Sequence, residues 1–477
     1  MAESLRHKTF QGTIWSFIDR FSVQGIMFVV MILMARVLTP ADYGLVGMLT
    51  IFIAISQTLV DSGFSQALIR KQERTETDNS TVFYFNIVVA IVLYLILAIC
   101  APLISRFYNE PQLIALTRVI SLSIVIGSLA GVQRAIFTIH IDFRTQAKAS
   151  LTAAVVSGAV GIATAYGGCG VWAIVWFQLT NQTVNCLMLW VLSKWRPRWL
   201  YSWRSFRELF SFGSKLAMSA LLETVYNNIY LLVIGKLFKA SDLGYYTRAQ
   251  QFSSFPSSNI TNIFQRVTFP VLCTIQNDDE RLRGAYRRFL RLSAFIVFPL
   301  MVGLAVLAQP LVLILLKEQW LFAATLISIL CFCMMWYPIH AINLNLLVVK
   351  GRSDLFLRVE VIKKIIGIGI LCITIPFGLI PMTAGTVAIS IICLAVNTHY
   401  TGKLIHVGFL KQMRDLCPSL FYSLSMGVFV WFVTLFISLP LLKLIVGCLT
   451  GMVYYLLVAI ATRSSDFREL KSFIRQK

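Results

Sequence analysis

The chain has 477 residues, is 57% hydrophobic and has a mean hydropathy of +0.76, against an apolar share of roughly 45–50% in soluble domains. Apolar runs close to the ~20 residues that cross a bilayer as helix recur along it, which points to an all-α integral membrane protein and excludes a soluble enzyme. The formal net charge of +21 does not imply nucleic acid, because the basic residues cluster between the apolar runs, where they set topology and meet anionic membrane lipids.

The first span is expected at 12–35. Arg6 and Lys8 precede it, but no short apolar core with a small-residue cleavage site follows, so it reads as a retained anchor. It carries Ser16, Arg20 and Gln24 at steps of four, with Asp19 alongside. The decapeptide ARVLTPADYG at 35–44 then forms a tight turn in which Asp42 caps the second span, 42–69. That span places Gln57, Asp61 and Ser65 on one face. Further spans follow at 81–104, 112–136, 149–167 and 170–193. Next comes SKWRPRWLYSWRSFRE at 193–208, whose basic residues alternate with Trp195, Trp199, Tyr201 and Trp203. Such a segment belongs at a membrane interface.

The seventh span, 209–235, carries Lys215, Ser219, Glu223 and Asn227 at steps of four. GKLFKASDLG at 235–244 repeats the earlier decapeptide: Lys236 aligns with Arg36, Asp242 with Asp42, and Gly244 with Gly44. Asp242 is expected to cap the eighth span, 242–273, which is so polar that hydropathy nearly misses it. Gln250, Ser254, Ser257, Thr261 and Gln265 share one of its faces, with Asn259, Asn262 and Arg266 close by. Pro256 and Pro270 are expected to bend it. Spans at 290–316, 320–349, 356–376, 382–402, 419–438 and 441–462 complete a set of fourteen.

With the N-terminus inside, most Lys and Arg fall on the cytoplasmic side, and the outer side holds Arg36, Arg106, Lys236, Lys239, Lys317 and Lys443. Both termini are therefore expected to be cytoplasmic. Six spans separate the repeat copies, so the two halves share one orientation and are related by an axis along the membrane normal. The expected organisation is an N-terminal lobe at 1–193, an interfacial linker at 194–208 and a C-terminal lobe at 209–407. Two further spans lie in 408–463, followed by a basic tail at 464–477.

The 10 cysteines form no CxxC pair and the 5 histidines do not cluster with them, so neither a metal site nor a disulfide framework is expected. No Walker loop, dinucleotide fingerprint, HExxH or GxSxG occurs, and every outward loop is short. No catalytic residue and no cofactor are expected. The polar faces of spans 1, 2, 7 and 8 need another explanation. A charge at mid-helix costs roughly 2.5–3.5 kcal/mol facing lipid, so these faces are expected either to line a wet cavity or to satisfy one another between helices. Arg118, Arg134, Arg248 and Arg266 add positive charge near span ends.

Several segments together resemble the Wzx-type polysaccharide-transport branch (WzxC-like) of the multidrug/oligosaccharidyl-lipid/polysaccharide flippase superfamily. They are ARVLTPADYGLVGM at 35–48, GFSQALIRK at 63–71, GVWAIVWFQL at 170–179 and KWRPRW at 194–199. FGSKLAMSALL at 212–222, GKLFKASDLGYYTRAQQF at 235–252 and NITNIFQRVTFPVL at 259–272 continue the likeness. It implies about fourteen helices, two six-helix lobes in a MATE/MurJ-like V plus two C-terminal helices, in a bacterial inner membrane. It also implies alternating access that moves a polyprenyl-diphosphate-linked oligosaccharide outward, with cationic residues of the first and eighth spans, here Arg20 and Arg266, meeting the diphosphate.

On that basis Arg20, Lys215 and Arg266 are expected to attract the diphosphate, and Gln57, Ser254, Ser257, Asn259 and Asn262 to bind sugars. Asp19, Asp61 and Glu223 are candidates for coupling H+ or Na+. A polysaccharide polymerase and assembly proteins are candidate partners. The alternative is a cation-coupled multidrug exporter of the same fold, which those three acids would also serve.

Overall fold

The structure is a computed structural model that describes residues 22–61 and 63–469. It divides into two compact units, Met1–Gly244 and Tyr245–Lys477. The first holds α1 (Ser22–Ala35), α2 (Pro40–Asp61), α3 (Phe64–Arg70), α4 (Glu76–Tyr108), α5 (Leu113–Ile120) and α6 (Leu122–Ser128). It continues with α7 (Gly131–Ile139), α8 (Phe143–Tyr166), α9 (Val171–Leu192) and α10 (Trp203–Leu237), then the opening turn of α11 (Ala240–Thr274). The second holds the rest of α11, α12 (Asp279–Val306), α13 (Ala308–Leu316), α14 (Leu321–Met334) and α15 (Tyr337–Val349). It ends with α16 (Ser353–Thr374), α17 (Leu379–Ile405), α18 (Phe409–Leu435) and α19 (Pro440–Ala461).

Among the described residues, 10 helical stretches are long and apolar enough to cross a membrane. The spans expected at 170–193, 242–273 and 356–376 are helical as α9, α11 and α16 but fall short of that standard. Their own residues explain it: Gln178, Asn181, Gln182 and Asn185 dilute α9, and Glu360, Lys363 and Lys364 dilute α16. The first span is described only from Ser22. Several expected spans are also interrupted. The one at 42–69 breaks between α2 and α3, and the one at 112–136 is three short helices in series. α11, by contrast, runs as one helix through Pro256 and Pro270.

In the first unit, sequence dictates where helices start. Thr75 and Asp78 form a reciprocal capping box at the head of α4. Thr39 N and Oγ1 both donate to Asp42 Oδ2, at 2.9 and 2.7 Å, and Lys239 N donates to Asp242 Oδ2 at 3.2 Å. Both repeat aspartates thus cap as expected. The repeat glycines have a second reason to be glycine. A Cβ on Gly44 would overlap the carbonyl oxygen of Ala240, and one on Gly244 would overlap that of Pro40. Each copy's glycine packs on the first helical residue of the other, the reciprocal contact of a local two-fold between the copies.

The small side chains of α8, with Ala147, Ala153, Ala154, Ser157, Gly158, Gly161 and Ala165 buried, let neighbours approach closely: Gly158 packs on Val30 of α1, and Gly161 on Met34 of α1 and Phe177 of α9. Asn181 on α9 donates to Ser157 Oγ at 3.1 Å. The linker is shorter than expected, since α10 already starts at Trp203 behind its cap Ser202. Its backbone is strapped across the start of α4: Arg198 N donates to Ser80 Oγ at 3.2 Å and Ser202 N to Thr81 Oγ1 at 3.1 Å. α10 itself packs on α2, α3 and α4 and so belongs to the first unit.

The second unit is built on α12 against α18, with α14, α15 and α17 alongside. Arg287 grips Asp415 through two hydrogen bonds of 2.6 Å, the bidentate fork that suits a guanidinium and a carboxylate. Beyond α19, Asp466 accepts from Arg291 Nε at 3.0 Å and Glu469 from Arg288 Nε at 3.1 Å, which pins the tail to α12. Burial raises the Asp466 carboxyl above its ordinary range, and the Arg291 guanidinium pulls it partly back.

Candidate functional site

The break between α2 and α3 creates the site. Gly63 has a φ of 67°, a left-handed conformation that side chains disfavour. A Cβ there would also lie 2.7 Å from Gly213 O on α10. Only glycine lets the broken helix press against α10. One turn earlier, Thr58 Oγ1 and Thr224 Oγ1 lie 3.0 Å apart and tie α2 to α10. This packing turns the polar faces of α2 and α10 toward each other around a cavity of about 530 Å³.

Asp61 from α2, Ser65 and Gln66 from α3, Arg134 and Thr138 from α7, and Ser219 and Glu223 from α10 line it. Its ionisable groups are two carboxylates and one guanidinium. Arg134 Nη2 donates to Asn185 Oδ1 at 3.4 Å. Among the described residues neither Asp61 nor Glu223 has an ion-pair or hydrogen-bond partner. Two unpaired carboxylates beside hydroxyls and amides can hold a proton or a solvated cation, or accept from sugar hydroxyls. This cavity therefore holds more acid than base, and none of Arg20, Lys215 and Arg266, the residues expected to attract a diphosphate, is among its lining residues.

The expected site residues distribute unevenly. Asp61 and Glu223 line this cavity. Gln57 and Lys215 are exposed on the same two helices but are not among its lining residues. Asp19 and Arg20 lie outside the described residues. The others sit on α11 in the second unit. Ser257 is buried and donates to Met334 O at 2.7 Å. Asn259 Nδ2 donates to Phe255 O at 2.8 Å, and Ser254 Oγ donates weakly to Gln251 O at 3.4 Å. Asn262 is half-buried, and Arg266 is exposed.

Arg134, Thr138, Gln66 and Thr58 are cavity residues that the sequence reading missed. Arg134 had been placed as an end-of-span charge. Its spacing from Gly131 and Thr138, three and four residues, was the available signal for a shared helix face.

The sequence profile of the polysaccharide biosynthesis protein family matches residues 33–325, more than half of the chain. The chain belongs to that family. It is 25% identical over 392 residues to the lipopolysaccharide biosynthesis protein WzxC of Escherichia coli, covering 82% of this chain and 80% of that one. It is also 25% identical over 355 residues to the teichuronic acid biosynthesis protein TuaB of Bacillus subtilis, covering 74% and 73%. Among solved structures it resembles the lipid II flippase MurJ in an inward closed conformation, with a TM-score of 0.76, 17% identity, and 95% and 99% coverage. An inward-facing MATE transporter of the MOP superfamily matches with a TM-score of 0.64, 16% identity, and 83% and 100% coverage. This member of the polysaccharide biosynthesis family thus shares the fold of flippases and multidrug exporters.

Proposed function

We propose that the chain is a lipid-linked oligosaccharide flippase of a bacterial inner membrane, with both termini cytoplasmic, that carries a polyprenyl-diphosphate-linked repeat unit outward by alternating access. The observation that carries this reading is the meeting of the polar faces of α2 and α10 on one cavity in a member of a polysaccharide biosynthesis family. In this scheme Arg20, Lys215 and Arg266 attract the diphosphate, and Gln57 and Asn262 bind sugar hydroxyls. Ser254 and Asn259 each spend one donor within their own helix and keep their oxygens, and Asn259 its second N–H, for sugars, whereas Ser257 is fully buried and serves helix packing. Asp61 and Glu223 exchange a proton or Na+ during the cycle, with Asp19 a further candidate. Polysaccharide polymerase and assembly proteins are its proposed partners.

The decisive test is transfer of a labelled polyprenyl-diphosphate oligosaccharide across vesicles containing the purified chain. Arg20→Ala with Lys215→Ala should abolish transfer while leaving membrane insertion intact. Full transfer in that double variant would remove both residues from the mechanism. The excess of carboxylates over guanidinium in the cavity favours a second reading, export of organic cations. Resistance to cationic drugs on overexpression, without oligosaccharide transfer, would select it.

A further inference from the structure

The first unit holds a second cavity, lined by none of the α2–α10 site residues. It lies where the loop after α3, the turn between α7 and α8, and the start of the linker meet, and its volume is about 900 Å³. Arg74, Lys194, Arg196 and Arg198 line it, opposed by Glu76 and Asp142. Half of these charged side chains are already bonded. Glu76 accepts from Trp195 Nε1 at 2.8 Å, and Asp142 caps α8 by accepting from Thr145 N and Oγ1 at 3.1 and 2.7 Å. Arg196 donates to the carbonyls of Ser193 and Trp195 at 2.6 and 2.9 Å.

What remains points to a ligand. Among the described residues the side chains of Arg74, Lys194 and Arg198 have no hydrogen bond or ion pair. His140 Nδ1 is held by Ile136 O at 2.9 Å, which leaves its Nε2 without a partner. A ligand that completes this set needs anionic oxygens for three cations and a hydroxyl for one acceptor. Phe137 and Leu192 give the cavity an apolar wall. Beside it, Trp199 is 93% exposed and stacked on Tyr84 at 5.4 Å, and Trp203 is 61% exposed. Exposed indoles of this kind sit at headgroup depth.

We propose that this cavity holds the phosphoglycerol headgroup of an anionic phospholipid. Arg74, Lys194 and Arg198 take the phosphate, and a glycerol hydroxyl meets His140 Nε2. The bound headgroup would fasten the linker that leads directly into α10, the helix that presents Ser219 and Glu223. That this headgroup belongs to the cytoplasmic leaflet follows only from the proposed topology; the binding itself does not depend on it.

The test is lipid retention by the purified full chain in discs of phosphatidylcholine with or without phosphatidylglycerol, read by native mass spectrometry and by thermal unfolding. Phosphatidylglycerol should stay bound and raise the melting temperature. Arg74→Ala with Arg198→Ala should weaken retention by about thirtyfold, at roughly a few-fold to tenfold per surface cation, with unfolding in pure phosphatidylcholine unchanged. Should that double variant fold poorly, Lys194→Gln alone should weaken retention about fivefold. Retention unaltered in both variants would overturn the site. Equal stabilisation by inorganic phosphate without lipid would overturn the lipid assignment in favour of a soluble anion. Because no transport is measured, the result stands apart from the success or failure of the flippase reading.

Discussion

Polar residues inside the first and second units are used in opposite ways. At the α2–α10 cavity, Asp61 and Glu223 make no hydrogen bond or ion pair among the described residues and stand around open space. In the second unit, Tyr286, Asn343, Thr401 and Gln412 are fully buried and satisfy one another. Tyr286 Oη and Thr401 Oγ1 donate to Asn343 Oδ1 at 2.9 and 3.1 Å, Asn343 Nδ2 donates to Gln412 Oε1 at 3.1 Å, and Gln412 Nε2 donates to Tyr286 Oη at 3.0 Å. His340 is locked likewise, between Ser390 Oγ at 3.0 Å and Asn397 Nδ2 at 2.9 Å. The lesson is that a polar residue in a span is read by its partners. Paired groups contribute stability and uniqueness; unpaired groups around a cavity are available for a ligand.

That contrast can be broken most forcefully where the cavity is made. Gly63→Ala places a Cβ in a left-handed conformation, which costs about 1–2 kcal/mol. The same Cβ meets the Gly213 carbonyl, adding about 1–3 kcal/mol of overpacking. We expect both a lower melting temperature and lost oligosaccharide transfer, since α2 and α10 must separate. Wild-type stability in this variant would mean that the break is not packed as described.

Gln412→Ala tests the opposite pole. It strips a partner from Tyr286, Asn343, Thr401 and the Val407 carbonyl and leaves a cavity, which should destabilise the second unit by about 2–3 kcal/mol. Transfer per folded molecule should be unchanged. A transport defect at full stability would move this network from scaffold to mechanism.

Asp61→Asn with Glu223→Gln sharpens the comparison from the cavity side. Among the described residues neither carboxylate makes a hydrogen bond or ion pair, so stability should stay within about 0.5 kcal/mol. Transfer should fall at least about tenfold, equivalent to ~1.4 kcal/mol, and lose its dependence on an imposed ion gradient. A drop in melting temperature that accounts for the lost transfer would show that the acids are structural.

The sequence carried one half of this contrast better than the other. The repeat at 35–44 and 235–244 announced both capping aspartates, and the steps of four on α2 and α10 announced which faces meet. α11 shows the limit. Its buried stripe is Ser253, Ser257, Thr261 and Thr268, overlapping the face expected to be wet, because small hydroxyl residues at helical spacing serve close packing as well as hydration. Hydroxyls can return their proton to a carbonyl one turn back, as Thr261 does to Ser257 O at 2.7 Å. Periodicity therefore finds a face but not what lies against it. The α2–α3 break was illegible for a different reason. Gly63 sits in an apolar run that reads as one span, and its partner Gly213 lies 150 positions later.

The finest probe is the hydroxyl pair at the edge of the cavity. Thr58→Val keeps the shape of the side chain and removes its link to Thr224, an interhelical hydrogen bond of the kind worth about 0.6 kcal/mol in a membrane protein. Thr58 Oγ1 can already donate to Ala54 O at 2.8 Å within its own helix, so Thr224 is left to act as donor across the gap. Thr58→Val should for that reason cost slightly more than Thr224→Val, because it leaves the Thr224 hydroxyl proton facing a methyl group, whereas Thr58 keeps its bond to Ala54 O when Thr224 is replaced. A double-mutant cycle that returned no coupling would mean that α2 and α10 are held by Gly63 and apolar packing alone, with the hydroxyls free to serve the cavity.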